Sequence, residues 1–148
     1  MKKSSCFILL LALSLLFLNT AAARAEMVAV NRNNVSMLSK PDKKGKVLWR
    51  LDQGFPLKVQ KRSGKWLNVR DFEGASGWVH TSVAGKQGHM IVKKKTINLR
   101  SRPHTRSNIV AKASYGVVFK TLEKKKGWVK VRQGSVTGWV NDDLLWGF

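Results

Sequence analysis

Displacing the sequence by 62 positions lays one half of the chain over the other, and this duplication constrains the fold more than any local pattern. Val30 falls on Val92, Val35 on Ile97, Met37 on Leu99, Ser39 on Ser101 and Pro41 on Pro103. Gly54 falls on Gly116, Leu57 on Phe119, Trp66 on Trp128, Val69 on Val131 and Arg70 on Arg132. One deletion then moves the offset to 61, and Gly77-Trp78-Val79 falls on Gly138-Trp139-Val140. Shared hydrophobicity does not by itself produce coincident Gly, Pro and Trp. The chain must therefore fold as one small module made twice.

Each module reads as short strands. Leu57-Lys58-Val59 and Val117-Val118-Phe119 are β-branched or aromatic runs. Trp66-Leu67-Asn68-Val69-Arg70 and Trp128-Val129-Lys130-Val131-Arg132 alternate with period two, the pattern of a half-buried strand. Gly-containing breaks at 43–45, 62–64, 73–77 and 133–135 separate the runs. Helical periodicity is absent beyond the first segment. Strands spaced roughly 8–12 residues apart suggest a small barrel per module. A unit near 60 residues buries only ~60% of its unfolded surface and is marginal alone. Barrel closure removes exposed edges, and packing two barrels together adds apolar burial. The expectation is a short linker, Gly85-Lys86-Gln87-Gly88-His89, and a real interface.

The first 25 residues read as an address. Met1-Lys2-Lys3 is basic, Phe7 to Leu18 is almost wholly apolar, and Ala23-Arg24-Ala25 places small residues at both key positions. This is the pattern of a secretory signal peptide cut after Ala25. The apolar run is shorter than the ~20 residues needed to span hydrocarbon, so no transmembrane span is expected once it is removed. Cys6 precedes the apolar run, which is not a lipoprotein arrangement. Because Cys6 is the only cysteine, the exported chain has neither a disulfide framework nor a Cys-ligated zinc site. The expected location is periplasmic or extracellular.

Asn98-Leu99-Arg100-Ser101-Arg102-Pro103, Ile109-Val110, Gly116, Gly127-Trp128-Val129-Lys130-Val131-Arg132 and Thr137-Gly138-Trp139-Val140 follow one another in the second module. This order resembles the bacterial SH3 domain, the SH3b module of exported and cell-wall proteins. The first module shows the same order with a weaker opening, Ser36-Met37-Leu38-Ser39-Lys40-Pro41. Leu38 stands where the family usually has Arg, and Lys40 and Arg102 stand where it commonly has Gly. The resemblance implies an all-β chain, two tandem small SH3-like β-barrels at 26–84 and 90–148, after a signal peptide at 1–25 and joined by a linker at 85–89. Family members often bind peptidoglycan or its peptide stems, commonly beside a wall-cleaving enzyme. Two barrels account for the whole exported sequence. The implied function is a non-catalytic binding module targeting peptidoglycan or another anionic envelope polymer. The alternative is a protein-interaction scaffold, an adaptor for a separate envelope protein or wall enzyme.

Strand phase nominates the site. If Leu67, Val69, Val79, Val129, Val131 and Val140 face the cores, then Trp66, Trp78, Trp128 and Trp139 face away from them. Asn68 and Lys130 share that outward phase, and Arg100 comes from the opening motif. Outward indoles stack on sugar faces or peptide segments with a polar N–H at the rim. They can equally fill a barrel mouth or the contact between modules. Trp49 and Trp146 lack counterparts and read as packing or interface residues, since Ala111 aligns with Trp49.

The chain carries 28 Lys and Arg against 8 Asp and Glu, a formal balance of +20. Removing the signal takes away Lys2, Lys3 and Arg24 and no acid, which leaves +17. The basic residues cluster in loops, among them Lys43 and Lys44; Lys61, Arg62 and Lys65; and Lys124, Lys125 and Lys126. Such a field concentrates a protein on polyanions, which outside the cytoplasm are wall polymers, lipid phosphates and peptide carboxylates. Export argues against nucleic acid as the physiological partner, although salt-sensitive DNA binding in vitro is expected. Catalysis is not expected. His80, His89 and His104 lack metal-ligand spacing. Asp71 and Glu73 read as turn residues without a repeated counterpart, and Asp142-Asp143 as support for a turn. No cofactor is implied.

Overall fold

Alternating apolar residues become strands here because each strand has one face to bury and one to leave outside. The computed structural model describes residues 25–148, so the expected signal segment, apart from Ala25, lies outside the described residues. In the first module the strands are β1 (Met27–Val30), β2 (Val35–Leu38), β3 (Val47–Leu51), β4 (Pro56–Ser63), β5 (Trp66–Arg70), β6 (Ser76–His80) and β7 (Ala84–Gly85). In the second they are β8 (His89–Val92), β9 (Thr96–Arg100), β10 (Ile109–Ser114), β11 (Val118–Lys125), β12 (Trp128–Gln133), β13 (Val136–Asn141) and β14 (Leu145–Gly147). The two sheets have the same order, β3-β2-β6-β5-β4-β1-β7 and β10-β9-β13-β12-β11-β8-β14. Every pairing in them is antiparallel. The chain is all-β, as its alternation demands.

Each sheet curls around its own core. Val28, Val30, Met37, Leu57, Leu67, Val69 and Val79 belong to the first. Val92, Leu99, Phe119, Val129, Val131 and Val140 hold the corresponding places in the second. The strand phase is thus the expected one. Curling is helped by bulges that recur in both modules. Met37 pairs with Trp49 but Leu38 with Val47, which leaves Leu48 extra; Val110 is the extra residue between β9 and β10. Gln60 and Leu122 are extra in β4 and β11. Each such insertion bends its strand and increases the local twist.

Gly77 and Gly138 explain why Gly-Trp-Val recurs. A Cβ at Gly77 would lie 2.5 Å from Met37 Cγ and 3.1 Å from the Leu38 carbonyl oxygen. A Cβ at Gly138 would lie 2.9 Å from Leu99 Cβ. Only glycine lets β6 cross β2, and β13 cross β9, this closely. Replacing Gly77 by Ala should lower stability by about 1–3 kcal/mol, the cost of overpacking against a fully buried methionine and the Leu38 carbonyl. Chemical denaturation checks this, with an unchanged midpoint as the contrary result.

The two modules are in contact. Strand β4 lies against β8 and β14. Phe55 and Phe72 meet edge to face at 6.1 Å, and Phe72 lies 5.3 Å from Tyr115 of the second module. The Tyr115 hydroxyl donates to the Glu73 carboxylate, and this bond holds the phenol above its ordinary value. Gly54 is closed in by His89 and Val118. The connection outside strands is shorter than 85–89, because Gly85 pairs with Ala29 and His89 with Lys120. Asp71, only 7% exposed, accepts from the Glu73 and Ala75 amides at 3.0 and 2.8 Å and fixes the β5–β6 turn. No described helix is long and apolar enough to cross a membrane.

Candidate functional site

Trp66 begins β5 on the face away from the core, directly opposite His80 of β6. Its indole meets the imidazole edge to face at 5.3 Å and 89°. His80 is held by a second task. It caps the short 3-10 turn Thr81–Val83, its Nδ1 accepting from the Ser82 amide at 3.2 Å. In the second module Asn141 does the same work for Asp142–Leu144, accepting from the Asp143 amide at 3.0 Å.

A groove opens on this side of the first module, with a cavity of about 450 Å³. It is lined by Asn34, Val35, Ser36, Leu38, Lys43, Trp66, His80 and Val83, together with Arg32 and Ser82. The second module has a groove of about 220 Å³ lined by Thr96, Ile97, Asn98, Arg100, Thr105, Trp128, Asn141 and Leu144. Each of these eight is the counterpart, at offset 62 or 61, of one of the first eight. The same concavity with the same indole has therefore been built twice, from residues that mostly differ. Val and Ile, or Val and Leu, supply its floor in both, while the polar lining has changed.

Trp78 and Trp139 lie elsewhere. A cross-strand row runs Lys61, Asn68, Trp78, Leu38 in the first module. The matching row in the second is Glu123, Lys130, Trp139, Arg100. The Lys61 ammonium stands 5.4 Å from the Trp78 ring centre, and that of Lys130 stands 6.0 Å from Trp139. Trp78 is half-buried, whereas Trp139 is only 9% exposed. The expectation of four open indoles is thus corrected at Trp139. Strand phase put it outside the core, as it is, but its register neighbours Lys130 and Arg100 carry long side chains where the first module has Asn68 and Leu38.

The remaining expected residues are largely engaged. Asn68 Nδ2 donates to the Gly77 carbonyl at 3.2 Å. Arg100 Nη1 donates to the Ser107 carbonyl at 2.8 Å. Lys43, Lys44, Lys61, Arg62, Lys65, Lys124, Lys125 and Lys126 are all exposed. Of these, Lys43 lines the first groove, and Arg62 pairs with Glu26, the one ion pair found among the described residues. Of the two roles expected for Trp49, packing or interface, packing is not seen, since it stands 54% exposed on edge strand β3 beside exposed Val47 and Leu48. Trp146 is half-buried and pairs with Ile91. The groove residues that sequence reasoning passed over are Arg32, Asn34, Ser36, His80 and Ser82. For His80 a signal existed, because it follows Trp78 by two residues and so shares its outward phase.

The chain belongs to the bacterial SH3 domain family, whose description matches residues 31–83 and again 93–147. It is 25% identical over 151 aligned positions to YrvJ of Bacillus subtilis (strain 168), whose name describes it as an N-acetylmuramoyl-L-alanine amidase. That match takes in 95% of this chain and 29% of YrvJ, so the chain spans under a third of its curated relative. Among solved structures it is similar to an NlpC/P60 family protein from Bacillus cereus ATCC 10987, at 13% identity and a TM-score of 0.39, covering 83% of this chain and 56% of the other. It is also similar to the endolysin LysPBC5 CBD, at 12% identity and a TM-score of 0.34, covering 83% and 93%.

Proposed function

We propose that the chain is an exported, non-catalytic binding module that attaches to peptidoglycan or a related anionic polymer of the cell envelope. The observation that carries this reading is the groove made twice with an indole at the same place, Trp66 and Trp128. A half-buried indole beside polar rim groups suits a sugar face or a peptide segment. The exposed lysines supply attraction at longer range. Membership of the bacterial SH3 family supports the reading, as does similarity to a protein whose name is that of an N-acetylmuramoyl-L-alanine amidase. In this reading the protein works outside the cytoplasm, and nucleic acid is not its partner there.

Co-sedimentation of residues 26–148 with purified wall sacculi across a sodium chloride series tests it. Retention should be high at low salt and fall as the Debye length shrinks from ~10 Å at 0.1 M to ~3 Å at 1 M. A residue of binding should persist at high salt through stacking. Absence of retention at every salt concentration overturns the proposal. A protein-partner reading draws on one observation, the exposed Val47-Leu48-Trp49 run on β3. It would be favoured by a single stoichiometric protein cross-linked in the envelope with no retention on sacculi.

A further inference from the structure

The two grooves have the same frame but differ in charge and in room, with two cations in the lining of the first and one in that of the second. Groove one has Arg32 and Lys43 among its lining residues and no acid. Its 3-10 turn presents Thr81 and Ser82, both neutral. At the matching turn in the second module stand Asp142 and Asp143, both exposed. A Cβ on Gly127, the residue before Trp128, would lie 3.9 Å from Asp142 Oδ1, so this carboxylate sits beside the indole strand. Lys43 is replaced in the lining by uncharged Thr105. Leu38 is replaced by Arg100, whose guanidinium is held on the 101–108 loop by the Ser107 carbonyl at 2.8 Å. The cavity is about 220 Å³ against about 450 Å³.

Most of these changes work against an acidic guest in the second module, and Arg100 does so through the room it fills, not through its charge. Two carboxylates on the adjoining turn repel an anion, and the lining offers one cation, drawn toward the Ser107 carbonyl, where groove one offers two. The larger arm of arginine takes up volume that leucine leaves open. We propose that ligand binding is confined to groove one, which takes a carboxylate-bearing sugar–peptide, and that Arg100 with Asp142 and Asp143 closes groove two to it. This deepens the wall-binding reading and rests on it. The module with the weaker opening, Leu38 in place of Arg, is then the one that binds.

The test is a titration of residues 26–148 with N-acetylmuramyl-L-alanyl-D-isoglutamine, an acetylated sugar on a short peptide with a free carboxylate. The readout is the assigned indole N–H signals in a two-dimensional nitrogen–proton spectrum. Trp66 should shift saturably and Trp128 should stay still. Lys43→Gln should weaken the Trp66 titration by about two- to fivefold, the range for an exposed charge contact. The triple change Arg100→Leu, Asp142→Thr and Asp143→Ser should make Trp128 titrate as well. Equal shifts at Trp66 and Trp128 in the unmodified chain overturn the inference and leave the wall-binding reading standing. A still Trp66 also overturns the inference, and loss of sedimentation with sacculi in the same preparation shows that the wall-binding reading has gone with it.

Discussion

Trp66→Ala should release the protein from wall sacculi, with affinity falling about thirtyfold. Large aromatic anchors at the centre of a recognition surface commonly contribute about 2 kcal/mol or more, and 1.4 kcal/mol is a factor of ten. In the proposed reading Trp66 is such an anchor, since it lines the groove with His80 against its ring. Trp66→Phe should keep part of the binding, because a ring remains to stack. Trp139→Ala provides the contrast. That side chain is 9% exposed beneath Lys130, so its removal should act on folding and leave attachment near wild type. Sedimentation combined with thermal unfolding separates the two effects. Wild-type retention of Trp66→Ala would remove the groove from consideration as the attachment site.

Phe119→Ala should have the largest effect on stability. Phe119 is 1% exposed at the centre of the second core, where the first module has Leu57. Truncating a buried phenylalanine costs about 3–5 kcal/mol. A unit of about 60 residues has a total stability of only ~3–9 kcal/mol, so the change removes most of it. The unfolding midpoint should drop by roughly 15–30 °C. The first module should feel this as well, because β4 rests on β8 and β14 and Phe72 rests on Tyr115. Circular dichroism in the near ultraviolet follows both. A drop of only a few degrees would mean that the second core repacks around the gap.

The strand phase was readable because every core valine on β5, β6, β12 and β13 alternates with an outward residue, and period two is a local property. The duplication was readable because Gly77 and Gly138 are demanded by a close backbone crossing that tolerates nothing larger. The groove was not readable, because its walls come from β2, β5, the turn after β6 and the loop around Lys43, which meet only once the sheet has curled. The burial of Trp139 was hidden for a related reason. It depends on which side chains stand beside it in register, and Arg100 and Lys130 come from two other strands. For Trp49 the lack of a counterpart left packing and interface open, and the choice rests on sheet order, since β3 ends the sheet and leaves its side chain to solvent.

The scarcity of ion pairs among so many exposed cations has a consequence for handling the protein. With Arg62–Glu26 the one pair found among the described residues, the folded chain bears mutual repulsion that counterions relieve. Added electrolyte should therefore make the barrels harder to melt, the opposite sign to its expected effect on retention by wall sacculi. If the proposed attachment holds, the fraction released by brine is the sturdier form, and it should bind again intact once the brine is dialysed away.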